Sequence, residues 1–384
     1  MGVSMGTSTI DFRMISVDDH IDLPYLPGDL WSTRLPAHLR DHGPRVVLDD
    51  DGVGTWVCGD ADWGRWAGGK RDNIKRSYRT ALERAGLDNE GELRPTIAEL
   101  RLLDMDSDNI EATVMYGPVA ALDIDDPELR LAVYAAYNDW LIEFCAGDPK
   151  RLIGVAMLPA EDAAGATIEL RRLAERGETR QVSMHIARAE SPIYGPDWTE
   201  FWDVIDGSGI IASFHLVLSK AMMTGIDDRA ARIYAASKEF ILQFLDPLVG
   251  MIGEGVLDSR PNAKLVLAES GLGWPPWVMQ EMDYRYSRLV SMGEYWSTRG
   301  GIGISRPPSE IFRDQVWVTF QDDRIGLEIL DWFGTDKVMW ACDYPHPDST
   351  FPESVAVVDR LTGHLAPDAR RRLLRDNAAA LYGL

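Results

Sequence analysis

Cysteine is scarce, three in 384 residues, and Cys58, Cys145 and Cys342 stand far apart. No pair has the C-x-x-C spacing of a metal site, and an odd, scattered set offers no disulfide framework, which predicts a reducing, cytoplasmic setting. Basic residues are in deficit as well: 39 Lys and Arg face 61 Asp and Glu, for a formal net charge of -22. Such a chain repels a phosphate backbone and an anionic bilayer, so neither nucleic acid nor membrane is an expected partner. No apolar run approaches the roughly 18 residues of a membrane span. The opening MGVSMGTSTIDFRMIS lacks the basic region and apolar stretch of a secretory signal. Glycine-rich signatures are missing too. The turn Asp19-His20-Ile21-Asp22-Leu23-Pro24 carries no phosphate loop, which argues against a nucleotide cofactor and an open doubly wound sheet. No Gly-x-Ser-x-Gly elbow is present and no Ser-His-Asp arrangement is legible.

What the chain does contain is a repeated alternation of short apolar runs and helix-like segments. Strands are expected at Met14–His20, Glu111–Gly117, Leu152–Pro159, Gln181–Ala187, Ile210–Val217, Lys264–Ser270, Val316–Asp322 and Lys337–Asp343. The nearly continuous hydrophobicity of Leu152–Pro159 suits a parallel strand covered on both faces. Between strands, Pro127–Ala146 reads as a helix capped by Asp126 with Pro127 at its first position. Ala163–Arg176 reads as an amphipathic helix through Ile168, Leu170 and Leu173. Strand and helix alternating around eight strands predict an α/β fold, a (β/α)₈ TIM barrel, in one domain spanning residues 1–384. Three connections near residues 23–109, 219–262 and 280–315 are too long for barrel loops. The first holds Trp31, Trp56, Trp63 and Trp66, and the second an apolar, helical Phe240–Ile252 that Pro247 can kink. The third holds Tyr284, Tyr286, Tyr295 and Trp296. Such insertions build substrate caps or subunit contacts, and a homodimer binding a small molecule is expected.

The chemistry-bearing residues gather at strand C-termini, where barrel active sites lie. Asp18-Asp19-His20 closes the first strand, and alternation puts Asp18 and His20 on one face and Asp19 on the other. His185 ends the fourth strand, His215 the fifth, Glu269 the sixth, and Asp343 with His346 the eighth. A single strand-end histidine is commonly a hydrogen-bonded core residue, and Asp18 could simply satisfy loop amides. Together these residues form an imidazole–carboxylate set suited to zinc, iron or manganese. Asp322 and Asp323 read as solvated loop acids or as lining of the mouth, and Ser270-Gly271 as a structural turn.

Several stretches resemble the amidohydrolase-2 branch of the amidohydrolase superfamily, the group that includes aminocarboxymuconate semialdehyde and resorcylate decarboxylases. The resemblance is carried by Ile15-Ser16-Val17-Asp18-Asp19-His20, by Ser213-Phe214-His215, by the run from Pro261 through Leu267-Ala268-Glu269-Ser270-Gly271 to Pro275, and by Cys342-Asp343-Tyr344-Pro345-His346-Pro347. It implies that Asp18, His20, His215 and Asp343 take the family's metal positions. Two departures stand out. The first strand carries Asp-x-His where the family carries His-x-His, and Glu269 stands where the family places a proton-transferring histidine. Carboxylates harden a site toward iron or manganese. With Glu269, His346 and His185 completing a second metal position, the resemblance extends to dinuclear non-haem iron monooxygenases of this fold. These use dioxygen to hydroxylate aliphatic carbons such as terpenoid acyl intermediates in bacterial natural-product biosynthesis. Two irons, with Glu269, Asp343 and His346 as catalytic residues, are the expectation on that reading. A single zinc or manganese serving a hydrolase or decarboxylase of a small carboxylated substrate is the alternative, with Glu269 or Asp343 as general base. A structural subunit with a relic metal site is a third reading.

Overall fold

Strand β1 (Met14–His20) leads into a small antiparallel sheet of β2 (Arg45–Leu48), β3 (Gly54–Cys58) and β4 (Ala61–Trp66). The chain then continues through β5 (Ile110–Tyr116), β6 (Leu152–Leu158), β7 (Gln181–Met184), β8 (Ile211–His215), β9 (Leu265–Ala268), β10 (Val316–Phe320) and β11 (Val338–Trp340). This computed structural model describes residues 10–68, 76–87, 92–118, 122, 124–216, 229–293, 303–332 and 334–384. Tyr295, Trp296 and Val217, named above, lie outside them. Eight strands pair in parallel and in chain order, β1-β5-β6-β7-β8-β9-β10-β11. The ring closes where the Asp343 amide donates to the Asp18 carbonyl at 2.8 Å and the His20 amide to the Tyr344 carbonyl at 2.6 Å. The fold is a (β/α)₈ barrel, and each of the eight expected strands is present.

The helices between strands follow their local chemistry. Asp126 accepts from the Glu128 and Leu129 amides and Pro127 opens the helix Pro127–Cys145, so the proline's missing donor falls where none is needed. Ala163–Arg176 starts on Asp162 and ends at Gly177, whose φ of 69° suits a residue without Cβ. Its buried stripe is Ala166, Leu170 and Leu173, spaced i, i+4, i+7. Ile168 is 56% exposed, a correction to the stripe expected above; it sits two positions from Leu170, on the opposite side of the helix. The helix Arg229–Gly253 carries Pro247 inside it. In the first insertion Trp31 and Trp56 meet edge to face at 5.0 Å, and the Trp31 indole donates to the Val133 carbonyl, tying the insertion to the barrel wall. At the opposite end from the site, the C-terminal helix Asn377–Tyr382 sends Ala378 and Tyr382 into the barrel interior beside Ile15, Val17 and Val155.

One irregularity decides what the first strand presents. Ile15 and Val17 face the barrel interior with Ala112 and Val114, so strict alternation would send Asp19 inward and Asp18 and His20 outward. The β1–β5 register slips between Ser16 and Asp19. This bulge turns Asp18 and His20 inward and leaves Asp19 on the outer face with Ser16 and Thr113, the re-aiming that bulges produce beside functional sites.

Outside the barrel wall Asp19 is a buried hub. It accepts from Ser16 Oγ at 2.7 Å, from Thr113 Oγ1 and from the Tyr344 amide at 3.2 Å. Arg101 Nη2 lies 3.5 Å away. Arg101 is fully buried on the helix Ala98–Ser107; it donates to the His20 carbonyl at 2.9 Å and lies over the Tyr344 ring at 4.9 Å. Burial pushes the Asp19 carboxyl up, and Arg101 opposes that shift. Removing one partner of a buried ion pair leaves an uncompensated charge, at a cost of about 3–5 kcal/mol. Arg101→Met is therefore expected to lower unfolding stability by at least about 3 kcal/mol in urea titrations; a loss below about 1 kcal/mol would contradict this role.

Candidate metal centre

Three strand ends, those of β1, β8 and β11, meet over the barrel axis. Asp18 Oδ1 lies 3.2 Å from His215 Nε2 and 3.6 Å from His20 Nε2. Asp343 Oδ1 lies 3.0 Å from His20 Nε2 and 2.9 Å from His346 Nδ1. The His20 ring stacks on His346 at 3.9 Å and meets His215 edge-on at 4.9 Å. Two sets of donor atoms result, Asp18–His20–His215 and His20–Asp343–His346, each within a 4.8 Å span and sharing His20.

The hydrogen-bond pattern of these groups is that of a cation receptor. Both ring nitrogens of His20 and Asp343 Oδ1 are buried without a hydrogen-bond partner, although Oδ1 has two imidazole nitrogens at contact distance. Buried polar atoms are costly when left unpaired, and His20 Nε2 and Asp343 Oδ1, 3.0 Å apart, can be satisfied together by one ion. His215 reinforces the case. Its Nδ1 faces the Leu216 carbonyl at 2.6 Å and so must donate, which leaves the Nε2 lone pair of the neutral ring facing the Asp18 carboxylate. Only a proton or a cation between them resolves that contact. With no ion, burial disfavours charge on His215, but Asp18 outweighs it and raises the ring to about 9. His346 is raised to about 11 against burial by Asp22 and Asp343. Burial would raise Asp343, yet His20 and His346 hold it well below the usual carboxylate range. His20 itself is lowered, first by burial and then by His346.

Glu269 and Asp343 share a further trait. Both have left-handed backbones, φ 58° and 66°, unusual for residues with a Cβ and typical of functional sites. The Glu269 amide is held by Thr319 Oγ1 at 2.8 Å. Its carboxylate reaches within 3.8 Å of His215 Nε2 and is 28% exposed. Burial, reinforced by Asp18 and Asp343 against the pull of His215, raises Glu269 to about 8. A cavity of about 300 Å³ opens here, lined by Asp18, Glu269, Asp343, Thr319, Gln321 and Asp348 among others.

Of the residues singled out in the sequence, Asp18, His20, His215, Asp343 and His346 come together, and Glu269 borders them. His185 is buried beyond β7 with Nδ1 unpartnered, and burial, then His215 and Arg188, lower it to about 3. It joins neither donor set. Asp323 caps the helix Arg324–Glu328 and Asp322 pairs with Arg360. The sequence reading missed Asp22, whose carboxylate lies 3.3 Å from His346 Nε2; an acid two residues past His20 was its only signal. It missed Arg101 and Tyr344 as supports because nothing in their own segments marks a pairing across the fold.

The sequence profile of the amidohydrolase family matches residues 84–384. The chain belongs to the amidohydrolase family, in its amidohydrolase-2 branch. A γ-resorcylate decarboxylase of Rhodococcus jostii is 25% identical over 315 residues, covering 75% of this chain and 88% of that protein. An amidohydrolase of Mycobacterium avium subsp. paratuberculosis superimposes with a TM-score of 0.73 at 21% identity, over 98% of this chain and 99% of its own. A dihydroxybenzoic acid decarboxylase of Polaromonas sp. JS666, with bound manganese and the inhibitor 2-nitroresorcinol, superimposes with a TM-score of 0.62 at 16% identity, over 97% of each chain.

These relatives correct the expectation of a dinuclear iron monooxygenase that consumes dioxygen. The curated relatives are decarboxylases, and manganese rather than a pair of irons occupies the Polaromonas neighbour. The geometry supplies the physical reason. A second iron position required Glu269, His346 and His185 to converge, and among the described residues those three form no donor set within 4.8 Å. The hardness contributed by Asp18 and Asp343 belongs instead to the two sets that share His20. Among the described residues, no helix of this amidohydrolase is long and apolar enough to cross a membrane. Elemental analysis after manganese loading is expected to give about one ion per chain, lost in His215→Ala and retained in His185→Gln; retention in His215→Ala would remove that residue from the ligand set.

Proposed function

We propose that this amidohydrolase is a non-oxidative decarboxylase of a small aromatic carboxylic acid, dependent on one divalent ion, manganese or zinc. Asp18, His20, His215 and Asp343 would hold the ion, with His346 behind Asp343. The observation that carries the reading is Asp343 Oδ1, buried and unpartnered between two imidazoles 3.0 and 2.9 Å away, in a chain whose curated relatives are decarboxylases. When bound, the ion supplies Lewis acidity toward the oxygens of the substrate.

The chain's own residues supply the rest. Loss of CO₂ breaks a C–C bond and leaves the electron pair on carbon, which must take a proton. Glu269 borders the cavity and sits where other members of the family carry a proton-transferring histidine. Burial is the first cause of its raised pKa in the ion-free site. Its position on the cavity makes Glu269 the group assigned here to deliver the proton to the carbon. Tyr116 floors the site, its ring 4.8 Å from that of His215, and its hydroxyl is bound to Ser213 and Gln181, so it positions rather than reacts.

Manganese-loaded protein, assayed without oxygen on mono- and dihydroxybenzoates, is expected to release CO₂. Glu269→Gln should keep its metal and lose about 100-fold or more in kcat. Absence of CO₂ across the panel, or a strict need for dioxygen, would overturn the reading.

A further inference from the structure

At the end of the barrel opposite the metal centre, a second cavity of about 350 Å³ lies between the helix Pro127–Cys145 and the first residues of β6 and β7. Strand alternation builds it. Ile153 and Val155 fill the barrel interior, so Leu152, Gly154 and Ala156 face the helix. Leu141 and Ile142 from that helix complete an aliphatic wall. One edge is polar. Thr179 and Arg180, the two residues before β7, line the cavity, and Thr179 Oγ1 and Arg180 Nη1 are both buried without a hydrogen-bond partner. Arg180 Nη2 donates to the Pro149 carbonyl, long at 3.4 Å. The acids on this cavity do not balance that charge. Glu178 accepts from Arg176 Nε and Nη2 at 3.1 and 3.0 Å. Burial pushes the Cys145 thiol up to about 12, although the Gly154 amide, Arg101 and Arg180 oppose the shift, so it stays protonated. A hydroxyl and one arm of a guanidinium buried without acceptors are costly, and each can donate to an anionic oxygen.

We infer that this cavity is a second binding site, separate from the metal centre, for an aliphatic monocarboxylate whose head accepts from Arg180 and Thr179 and whose chain lies along Leu141, Ile142 and Leu152. An anion is favoured over a neutral carbonyl compound because the guanidinium is permanently charged and its bonds to a carboxylate are about twice as strong as neutral ones. The aliphatic chain follows from the wall it must lie against. The volume falls at the lower end of the range for small-molecule sites, roughly 300–1,000 Å³. The site stands whatever reaction the metal centre performs.

Calorimetry on manganese-loaded protein tests it with octanoate and octanol, which share a chain and differ in the head. Octanoate is expected to bind about tenfold more tightly, as one charge-assisted hydrogen bond within the cavity provides. Arg180→Gln should bring the two ligands within about threefold of each other, with the melting temperature unchanged. A carboxylate held by manganese would instead keep its margin in that variant. Crystals of the unaltered, metal-loaded protein soaked in ω-bromooctanoate give a second readout that does not depend on how Arg180→Gln folds. Their bromine anomalous peak is expected between Leu141 and Leu152. No binding of octanoate, a margin over octanol that survives Arg180→Gln, a bromine peak at the metal centre or elsewhere, or ordered water alone in the cavity would overturn the inference.

Discussion

The carboxylate of Asp19 is the constraint on which the rest of the centre depends. It lies on the outer face of the barrel wall, buried, where an anion survives only with donors around it. Ser16, Thr113, the Tyr344 amide and Arg101 provide them. Ser16 and Thr113 belong to the first two barrel strands and Tyr344 follows the last, so one anion draws both sides of the ring's closure together. Because Tyr344 is held against β1, its neighbour Asp343 is held as well, with its amide on the Asp18 carbonyl. Two carboxylates that would repel each other are thereby fixed beside the same histidine.

That arrangement stores an electrostatic problem which a cation solves. Three imidazoles and two carboxylates face inward, most of them buried, with atoms that find no partner within the protein. Without an ion the site must hold protons, and this appears as His215 and His346 raised and Asp343 lowered. A divalent ion would remove the need for those protons. The left-handed backbones of Glu269 and Asp343 indicate that the fold tolerates local strain to aim these two side chains.

Much of this was legible in the sequence, for identifiable reasons. Strand positions followed from short apolar runs because a parallel barrel covers both faces of each strand. Asp18, His20, His215 and Asp343 stood out because barrels put their chemistry at strand ends. Three things were not legible. Alternation correctly separated Asp19 from Asp18 and His20, yet the bulge that decides which of them faces inward depends on pairing with β5. Arg101 looked like an ordinary helix residue, since Asp19, the His20 carbonyl and Tyr344 lie 81 to 243 positions away. The second iron position failed because Glu269, His346 and His185 each sit at a strand end, but nearness to a barrel mouth does not fix distances among side chains. Only the fold shows that, among the described residues, the three form no common donor set.

Anomalous scattering at the manganese edge, from crystals of the metal-loaded protein, reports the centre directly. A single peak bounded by Asp18, His20, His215 and Asp343 is the expected result. Two peaks, or one peak bounded by His185 and Glu269, would contradict a one-ion decarboxylase centre.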